Sequence, residues 1–464
     1  MTKHAAAKRK HPRPPGPKGK FLLGHFREVV HSSNRFLERC SREYGDVVRL
    51  RVFHVPVCLL ANPADIESVL SKNSANFLKA RDYRAMKAVL GEGLLTSEGS
   101  FWQKQRKLMQ PAFRHENITT YAETMVSATS RMLDTWRNGE TRDVHAEFMA
   151  VTLEIVTKVL FGSVVPGDAA TVAKSLTIMM EDFNRQGALA FLLPESVPIP
   201  TFFRLKRAIE TVDAMIYKLI DARRTDRRAA RNRNGAPSGH DLLETLLSAQ
   251  DEAGSEMTSE QVRDEVMTLF LAGHETTANA LSWTWYLLAQ HPEVAKKLAA
   301  EIDSVLEGRV PTAADAGRLP YTEKVIKESM RVYPPVWAIG RQSIKPFEVS
   351  AYHLPAKTNV VILQWTVHRD PRFWTDPEVF DPERWSPSGA RYRVLPRFAY
   401  FPFGGGPRVC IGAGFAMMEA ILLLATVAQR FEMKLAPHQK VRMLPSVTLR
   451  PRRGIKMILK EHVG

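Results

Sequence analysis

A glycine-rich loop with one cysteine, residues 403–412, constrains the fold of this chain more than any other feature. It reads FGGGPRVCIG and fits the pattern F-x-x-G-x-R-x-C-x-G, in which Phe403, Arg408 and Cys410 are fixed positions. The glycines allow turns with positive φ and let the backbone approach a flat, bulky group. A helix is predicted from Gly412, and its N–H groups would lower the pKa of the Cys410 thiol. A thiolate held in this way is a suitable axial ligand for heme iron.

A cysteine in a glycine-rich turn can also be buried and inert. Five fixed positions argue against that alternative, because a chance match in a chain of this length has a probability below roughly one in ten thousand. The other cysteines, Cys40 and Cys58, lie in a helical and a strand-like apolar run and are predicted to be buried hydrophobic residues. Three cysteines are too few for a disulfide framework, which favours an intracellular, reducing compartment.

The longest apolar segment found in the sequence, residues 267–289, carries a cluster of polar residues in its first half. The cluster is AGHETT at residues 272–277. Thr258 and Gln261 have capping-box spacing, so a helix is predicted to begin near Thr258 and to stop before Pro292. Such a helix would be about 45 Å long, and its apolar second half indicates a buried position. The polar cluster argues against a membrane span.

The AGHETT cluster has the residue types needed to handle a small oxygen species. Ala272 and Gly273 would let a planar ligand or dioxygen lie against the backbone. Thr276 could hydrogen-bond to bound dioxygen, and Glu275 could connect that position to solvent protons. The alternative is a helix kink in which the threonine hydroxyls bond back to the preceding turn.

Taken together, these motifs resemble the cytochrome P450 superfamily of heme-thiolate monooxygenases. The loop matches the family's cysteine-ligand pattern in full, and the hexapeptide looks like its oxygen-activation motif with Thr276 as the alcohol. The resemblance extends from Pro14 to the C-terminus. It implies heme b (iron protoporphyrin IX), with Cys410 as the metal ligand. Helical periodicity over residues 63–333, followed by short strand-like runs, separately indicates a mostly α (α+β) fold with a smaller β part. Two short β-branched runs at 47–52 and 57–60 flank a turn-like segment at 53–56 and are predicted to form a hairpin.

The resemblance also implies roles for several charged residues. Glu328 and Arg331 form an E-x-x-R pair, which with Arg384 would make a buried ion network that fixes the cysteine loop; a solvated surface pair is the alternative. Trp102 and Arg106 are four residues apart, hence on one helix face, and resemble the family's W-x-x-x-R. With Arg341 and Arg408 they are expected to contact the heme propionates, which need charge-assisted donors. Thr276 and Glu275 are the predicted catalytic residues. The residues predicted to bind the cofactor are Cys410, Arg408, Phe403, Trp102, Arg106, Arg341, Ala272 and Gly273.

The chain is strongly basic, with 65 Lys and Arg against 49 Asp and Glu, for a net charge of +16. Residues 1–13 are predicted to be a basic disordered arm and residues 14–464 a single domain. The basic run at 223–233 is expected to be a solvated helix end followed by a linker. A nucleic-acid-binding module would explain the charge, but no recognised motif accompanies it. An acidic electron donor explains it better.

The predicted function is a monooxygenase that inserts one oxygen atom of O2 into a lipophilic small molecule by hydroxylation or epoxidation. A fatty acid or a terpenoid-like compound is the expected substrate, under a mobile apolar roof at residues 183–203. The sequence shows no dinucleotide fingerprint, so electrons from NAD(P)H are expected through a separate ferredoxin or flavodoxin. The protein is predicted to be cytoplasmic, without a transmembrane anchor. The alternatives are a peroxide-driven peroxygenase, a heme-thiolate isomerase and a non-catalytic heme-binding sensor.

Overall fold

The computed structural model describes residues 12–162, 169–194, 196–232, 241–252, 254–386 and 395–462. These residues form the mostly α architecture, with small β sheets, that the sequence predicts. The α-helices are α1 (Phe26–Tyr44), α2 (Pro63–Glu67), α3 (Lys87–Leu90), α4 (Gly99–Met109), α5 (His115–Thr120), α6 (Ala122–Asp134), α7 (Val144–Phe161), α8 (Ala169–Leu192), α9 (Phe203–Asn232), α10 (Leu242–Ser248), α11 (Ser259–Leu288), α12 (Pro292–Leu306), α13 (Pro320–Val332), α14 (Gln364–Val367) and α15 (Ala413–Arg430). The strands are β1 (Val47–Val52), β2 (Val55–Leu60), β3 (Phe77–Lys79), β4 (Thr141–Asp143), β5 (Ile339–Ser343), β6 (Phe347–Val349), β7 (Tyr352–Leu354), β8 (Asn359–Ile362), β9 (Phe431–Leu435), β10 (Met443–Pro445), β11 (Leu449–Pro451) and β12 (Lys456–Glu461).

The 30-residue helix α11 lies at the centre of the helical part and packs against α7, α9, α13 and α15. Its N-terminus has the predicted capping box: the Gln261 amide N–H donates to Thr258 Oγ1 at 3.2 Å, and the Thr258 N–H donates to Gln261 Oε1 at 3.0 Å. The helix ends at Leu288, before the Pro292 that cannot continue it. Both predicted ends are therefore confirmed.

Helix α15 begins three residues after Cys410 and belongs to the same core. Among the described residues it is the helix long and apolar enough to cross a membrane, but 61% of that window is buried inside the protein. The prediction that residues 267–289 are the longest apolar segment is wrong by this measure. The acidic and amide side chains of α11, such as Glu275 and Asn279, reduce its mean hydropathy.

The largest sheet has the strand order β1-β2-β8-β5-β3. The predicted hairpin of β1 and β2 is confirmed, with a turn at Phe53 and His54. At the other edge, β3 pairs antiparallel with β5, and this register places Lys79 directly opposite Arg341. Like charges in opposite positions destabilise a sheet, so this pair indicates that an anion belongs nearby.

Two predictions about basic segments have different outcomes. Residues 1–11 of the predicted arm lie outside the described residues, as do 233–240 of the predicted linker. Residues 223–232 of the basic run form the end of α9, as predicted, and Arg228 there is exposed. Two of its arginines are not solvated, because they form ion pairs with acids at the start of α10. Arg223 lies 2.6 Å from Asp241, and Arg227 lies 2.8 Å from Glu244. The acidic partners follow the linker in sequence, so the composition of the run alone did not indicate the pairing.

Candidate functional site

The cysteine loop is closed by backbone hydrogen bonds and tight packing. The Cys410 N–H donates to the Phe403 carbonyl oxygen at 3.0 Å. Gly404 and Gly406 have φ of +73° and +68°, which confirms the predicted turns with positive φ. A Cβ on Gly406 would lie 1.8 Å from the Leu70 carbonyl oxygen, so no larger residue fits there. The loop therefore holds Cys410 in one place at the head of α15.

The Cys410 side chain is accessible although it lies deep in the protein, so it faces an internal space. Burial raises the pKa of the Cys410 thiol, while the Gly412 N–H and the positive charge of Arg106 lower it. The predicted lowering by the N–H groups at the helix start is therefore present, but desolvation outweighs it in the protein without a bound metal ion, so the pKa is raised. A metal cation bound to the sulfur would favour the thiolate and so lower the pKa of Cys410, as expected of a metal-ligating cysteine.

A second accessible surface interrupts the buried length of α11. Ala272 is exposed, and Leu269, Gly273 and Thr276 are partly exposed, in a helix whose other residues in this stretch are buried. Their spacing of three, four and seven residues places them on one helical face. A stripe of accessible small residues in the middle of a core helix lines an internal space. This is where the sequence places the planar ligand or dioxygen.

The two predicted catalytic residues point their polar atoms to different partners. Thr276 Oγ1 donates to the Ala272 carbonyl oxygen at 2.7 Å, so the back-bonding alternative is observed, but α11 continues without a break. Glu275 is buried, and its Oε1 accepts a 2.5 Å hydrogen bond from Thr448 Oγ1. Thr448 was not predicted, and no motif in the sequence indicates this contact. Burial raises the pKa of Glu419 on α15 to about 8, while Thr277 of α11 lowers it.

Three predicted cofactor contacts come together beside the cysteine loop. The Arg106 guanidinium donates to the Val409 carbonyl oxygen at 2.7 Å. The Arg408 guanidinium lies 3.9 Å from the centroid of the Trp102 ring, and it forms an ion pair with Glu98. Helix α4 supplies Trp102 and Arg106 from one face, four residues apart, as predicted.

Arg341 and Lys79 complete a cluster of four cations with Arg106 and Arg408, in which Glu98 acts on Lys79, Arg341 and Arg408. Burial lowers the pKa of Arg341, and burial together with Arg341 and Arg408 holds the pKa of Lys79 well below its usual range. Burial lowers the pKa of Arg408 to about 10, with further lowering by Arg341 and Arg106. Among the described residues, Glu98 is the acid that acts on Arg341, Arg408 and Lys79 alike. Buried cations need paired anions, so the cluster fits the two propionates of a heme.

Sequence reasoning did not identify Lys79 or Glu98. A signal for Lys79 exists, because alternate residues of a strand share a face. Phe77 is buried at the start of β3, and Lys79 is two residues later on that face. A lysine at an inward-facing strand position is uncommon unless it is paired. No comparable signal exists for Glu98.

We expect Lys79→Met to stabilise the heme-free protein slightly and to weaken heme retention. Removing the lysine relieves its repulsion with Arg341, which is worth about 0.5 kcal/mol for a cross-strand pair. Losing one charged contact to a propionate should speed heme dissociation about tenfold. Thermal unfolding of the heme-free protein and heme transfer to apomyoglobin measure the two effects. Lys72→Met, at an exposed lysine paired with Glu67, is the control. If Lys79→Met destabilised the heme-free and the heme-bound protein alike, the assignment of Lys79 to a heme propionate would be contradicted.

The predicted ion network is buried. Glu328 and Arg331 are fully buried, with Arg331 Nη2 lying 2.8 Å from Glu328 Oε1, and Arg384 Nε donates to the same oxygen at 3.1 Å. Trp385 adds a hydrogen bond at 3.0 Å to the other oxygen and packs on the ring of Tyr400. The surface-pair alternative is therefore wrong.

The network is connected to the cysteine loop through the residues just before it. The Tyr400 hydroxyl donates to the Lys327 carbonyl oxygen at 2.9 Å. The next residue, Phe401, donates its N–H to His368 Nε2 at 3.0 Å, and its carbonyl accepts from the Gly404 N–H at 2.8 Å. These contacts fix the start of the loop to α13, as the resemblance implies.

A separate open pocket of about 360 Å³ lies between α3, α9 and α11. Its lining is charged and includes Lys87, Glu92, Asp213, Arg263 and Asp264. It contains none of the predicted site residues, and its polar walls do not suit a lipophilic substrate.

Comparison with known proteins places these features in one family. The family profile described as Cytochrome P450 matches residues 14–459. Cyclooctatin synthase of Streptomyces melanosporofaciens is 35% identical over 435 residues, which cover 93% of this chain and 92% of the relative. Pentalenene oxygenase of Streptomyces avermitilis is 29% identical, with 93% and 94% covered. The crystal structure of the cytochrome P450DA heme domain superposes with a TM-score of 0.83 at 24% identity, covering 97% of this chain and 98% of that one.

Proposed function

Because this chain belongs to the cytochrome P450 family of heme monooxygenases, we propose that it inserts one oxygen atom of O2 into a lipophilic, terpenoid-like small molecule. The observation that carries the proposal is the accessible sulfur of Cys410, deep in the protein, beside a cluster of buried cations. When bound, heme supplies the oxygen-activating chemistry, since a thiolate ligand favours O–O cleavage. The protein supplies the ligand, the orientation and the protons.

Each assigned residue has a defined task. Cys410 Sγ binds the iron, and Arg106, Arg341, Arg408 and Lys79 bind the propionates. Trp102 supports Arg408 by stacking. Phe403 holds the Cys410 N–H through its carbonyl oxygen. On the accessible face of α11, Ala272 and Gly273 leave room for dioxygen and Thr276 donates a hydrogen bond from Oγ1. Glu275, buried beside this face, connects the oxygen position to solvent protons.

A terpenoid-like substrate is preferred to a fatty acid because two relatives are named cyclooctatin synthase and pentalenene oxygenase. Binding of a substrate beside heme iron displaces water and changes the spin state of the iron, which is visible in the Soret band. We expect pentalenene to produce this change and dodecanoic acid to produce less of it at equal concentration. A larger response to dodecanoic acid would make the fatty acid the substrate class.

The source of the inserted oxygen separates the monooxygenase from the alternatives. We expect label from ¹⁸O2 in the product when NAD(P)H, a reductase and a ferredoxin are supplied. Label from H2¹⁸O2 without a reductant would identify a peroxide-driven peroxygenase. An unlabelled rearranged product would identify an isomerase, and heme binding with no product from any substrate would indicate a sensor.

We further propose that the electrons come from NAD(P)H through a separate acidic ferredoxin or flavodoxin that docks on the cysteine side of the protein, in the cytoplasm. The net charge of +16 supports this, and Lys104 and Lys107 are exposed on α4, whose Arg106 contacts the cysteine loop. Charge attraction of this kind raises association rates and is screened by salt.

The test is the double charge reversal Lys104→Glu and Lys107→Glu. We expect about tenfold slower reduction by an acidic ferredoxin at low salt, with unchanged reduction by dithionite. Lys218→Glu on α9, which packs against α8, α10 and α11, is the control. Unchanged ferredoxin kinetics and salt dependence in the double variant would remove this docking site.

A further inference from the structure

A series of three hydrogen bonds leads from Glu275 to the first turn of α7. Thr448 Oγ1 donates to Glu275 Oε1 at 2.5 Å, and Asn279 Nδ2 donates to Thr448 Oγ1 at 3.2 Å. Asn279 Oδ1 lies 3.0 Å from His145 Nε2, which must therefore carry the proton. Every donor in the series points towards the carboxylate. Such an arrangement polarises each bond along the series towards the carboxylate of Glu275.

The backbone holds this series rigidly. Glu275 and Asn279 are four residues apart and so share one face of α11. One turn further, the Trp283 indole N–H donates to the Leu449 carbonyl oxygen at 2.8 Å, which fixes the segment next to Thr448. Glu275, Asn279 and Thr448 are each at most 3% exposed, so these polar groups depend on one another for hydrogen bonds.

His145 at the end of the series is partly exposed and can respond to solvent pH. Burial lowers the pKa of its imidazole, while the bond to Asn279 and the charges of Asp143 and Glu275 raise it, and Arg450 lowers it. The facing charges thus come from β4, α11 and β11. With its pKa below the ordinary value of about 6.5, His145 is neutral at pH 7 and becomes charged on acidification.

We propose that Thr448, Asn279 and His145 are positioning residues for Glu275, which fix the orientation of its carboxylate and couple it to the ionisation of His145. This inference rests on the proposed function, in which Glu275 connects the oxygen position to solvent protons. The amide of Asn279 has fixed donor and acceptor ends. The series therefore acts by orientation and charge, and does not pass a proton along its length.

The coupling can be measured without turnover. In the reduced, carbon-monoxide-bound holoprotein, which is diamagnetic, the imidazole signal of His145 is followed by NMR against pH. Removing the negative charge in Glu275→Gln should lower the measured pKa of His145 on the order of half a pH unit. Exposed His115 on α5 serves as the internal control. An identical His145 titration in wild type and Glu275→Gln would overturn the proposal.

Turnover provides the second test. In Thr448→Val we expect the fraction of consumed electrons recovered in product to fall about fivefold, with substrate binding unchanged. In the wild type, turnover should fall at acidic pH as His145 becomes protonated, and this fall should disappear in Thr448→Val. Thr448→Ser should restore both the recovery of electrons in product and the fall at acidic pH. Thr426→Val on α15 is the matched control, because that buried hydroxyl bonds only within its own helix, to the Leu422 carbonyl oxygen at 2.7 Å. If Thr448→Val recovered the same fraction of electrons in product as the wild type and kept the wild-type pH profile, the positioning role would be refuted.

The two tests separate this inference from the proposed function. If the wild-type protein incorporates no oxygen from O2, the proposed function fails, but the NMR titration still decides whether His145 and Glu275 are coupled. If oxygen is incorporated and the titration shows no coupling, only the inference fails.

Discussion

Cys410→Ala will abolish the strongly red-shifted Soret band of the reduced, carbon-monoxide-bound protein. That band requires a thiolate opposite carbon monoxide, and Cys410 is the accessible cysteine of the three in the chain. Oxygen incorporation should become undetectable, because heme without the Cys410 thiolate lacks the electron donation that favours O–O cleavage. Heme content should fall less, since the four cations beside the site still bind the propionates.

Cys40→Ala and Cys58→Ala are the matched controls for this experiment. Both cysteines are buried in apolar clusters, and burial raises the pKa of Cys40 to about 11 and that of Cys58 to about 12. Unlike Cys410, neither sulfur is accessible to a metal ion. Both variants should keep the red-shifted band. A band at the position typical of histidine-ligated heme in the wild type, or an unchanged band in Cys410→Ala, would refute the whole assignment.

Glu328→Gln will destabilise the protein by about 3–5 kcal/mol, the usual cost of breaking a buried ion pair. The change leaves the fully buried Arg331 without a carboxylate and weakens the bonds from Arg384 and Trp385. Urea unfolding followed by circular dichroism measures the loss. Heme content should fall in parallel, because the network fixes the start of the cysteine loop through Tyr400.

Glu323→Gln on the same helix is the control. Glu323 pairs with Lys327 at 2.6 Å, but both side chains are partly exposed, so the loss should be at most about 0.5 kcal/mol. If Glu323→Gln and Glu328→Gln lowered the free energy of unfolding equally, the buried E-x-x-R pair would contribute no more to stability than an exposed pair. A stable Glu328→Gln protein that retains heme would show that the loop is fixed by other contacts.

Local rules predicted the parts of this fold that depend on neighbouring residues. The capping box of Thr258 and the strands of the first hairpin follow from short sequence patterns, and both are confirmed. The Trp102 and Arg106 pair followed from a four-residue spacing. In each case the interacting residues are separated by only a few positions, so the pattern is visible in the sequence.

Contacts between distant residues could not be predicted in the same way. Glu98 and Arg408 are separated by 310 positions, and Glu275 and Thr448 by 173. No periodicity connects such residues, and Glu98 and Thr448 look like ordinary surface side chains when read alone. The Cys410 pKa was misjudged for a related reason, because its desolvation depends on how the whole chain packs around it.

The site is assembled from residues that the ribosome produces at very different times. Arg106 and Val409, which are joined by a hydrogen bond, are 303 positions apart. At about 5–20 residues per second, roughly 15–60 s of synthesis separate them. During that interval Lys79, Arg106 and Glu98 are present without the cysteine. Stable capture of the cofactor therefore waits until α15 has been translated, and a truncated chain ending before Cys410 would offer propionate contacts but no iron ligand.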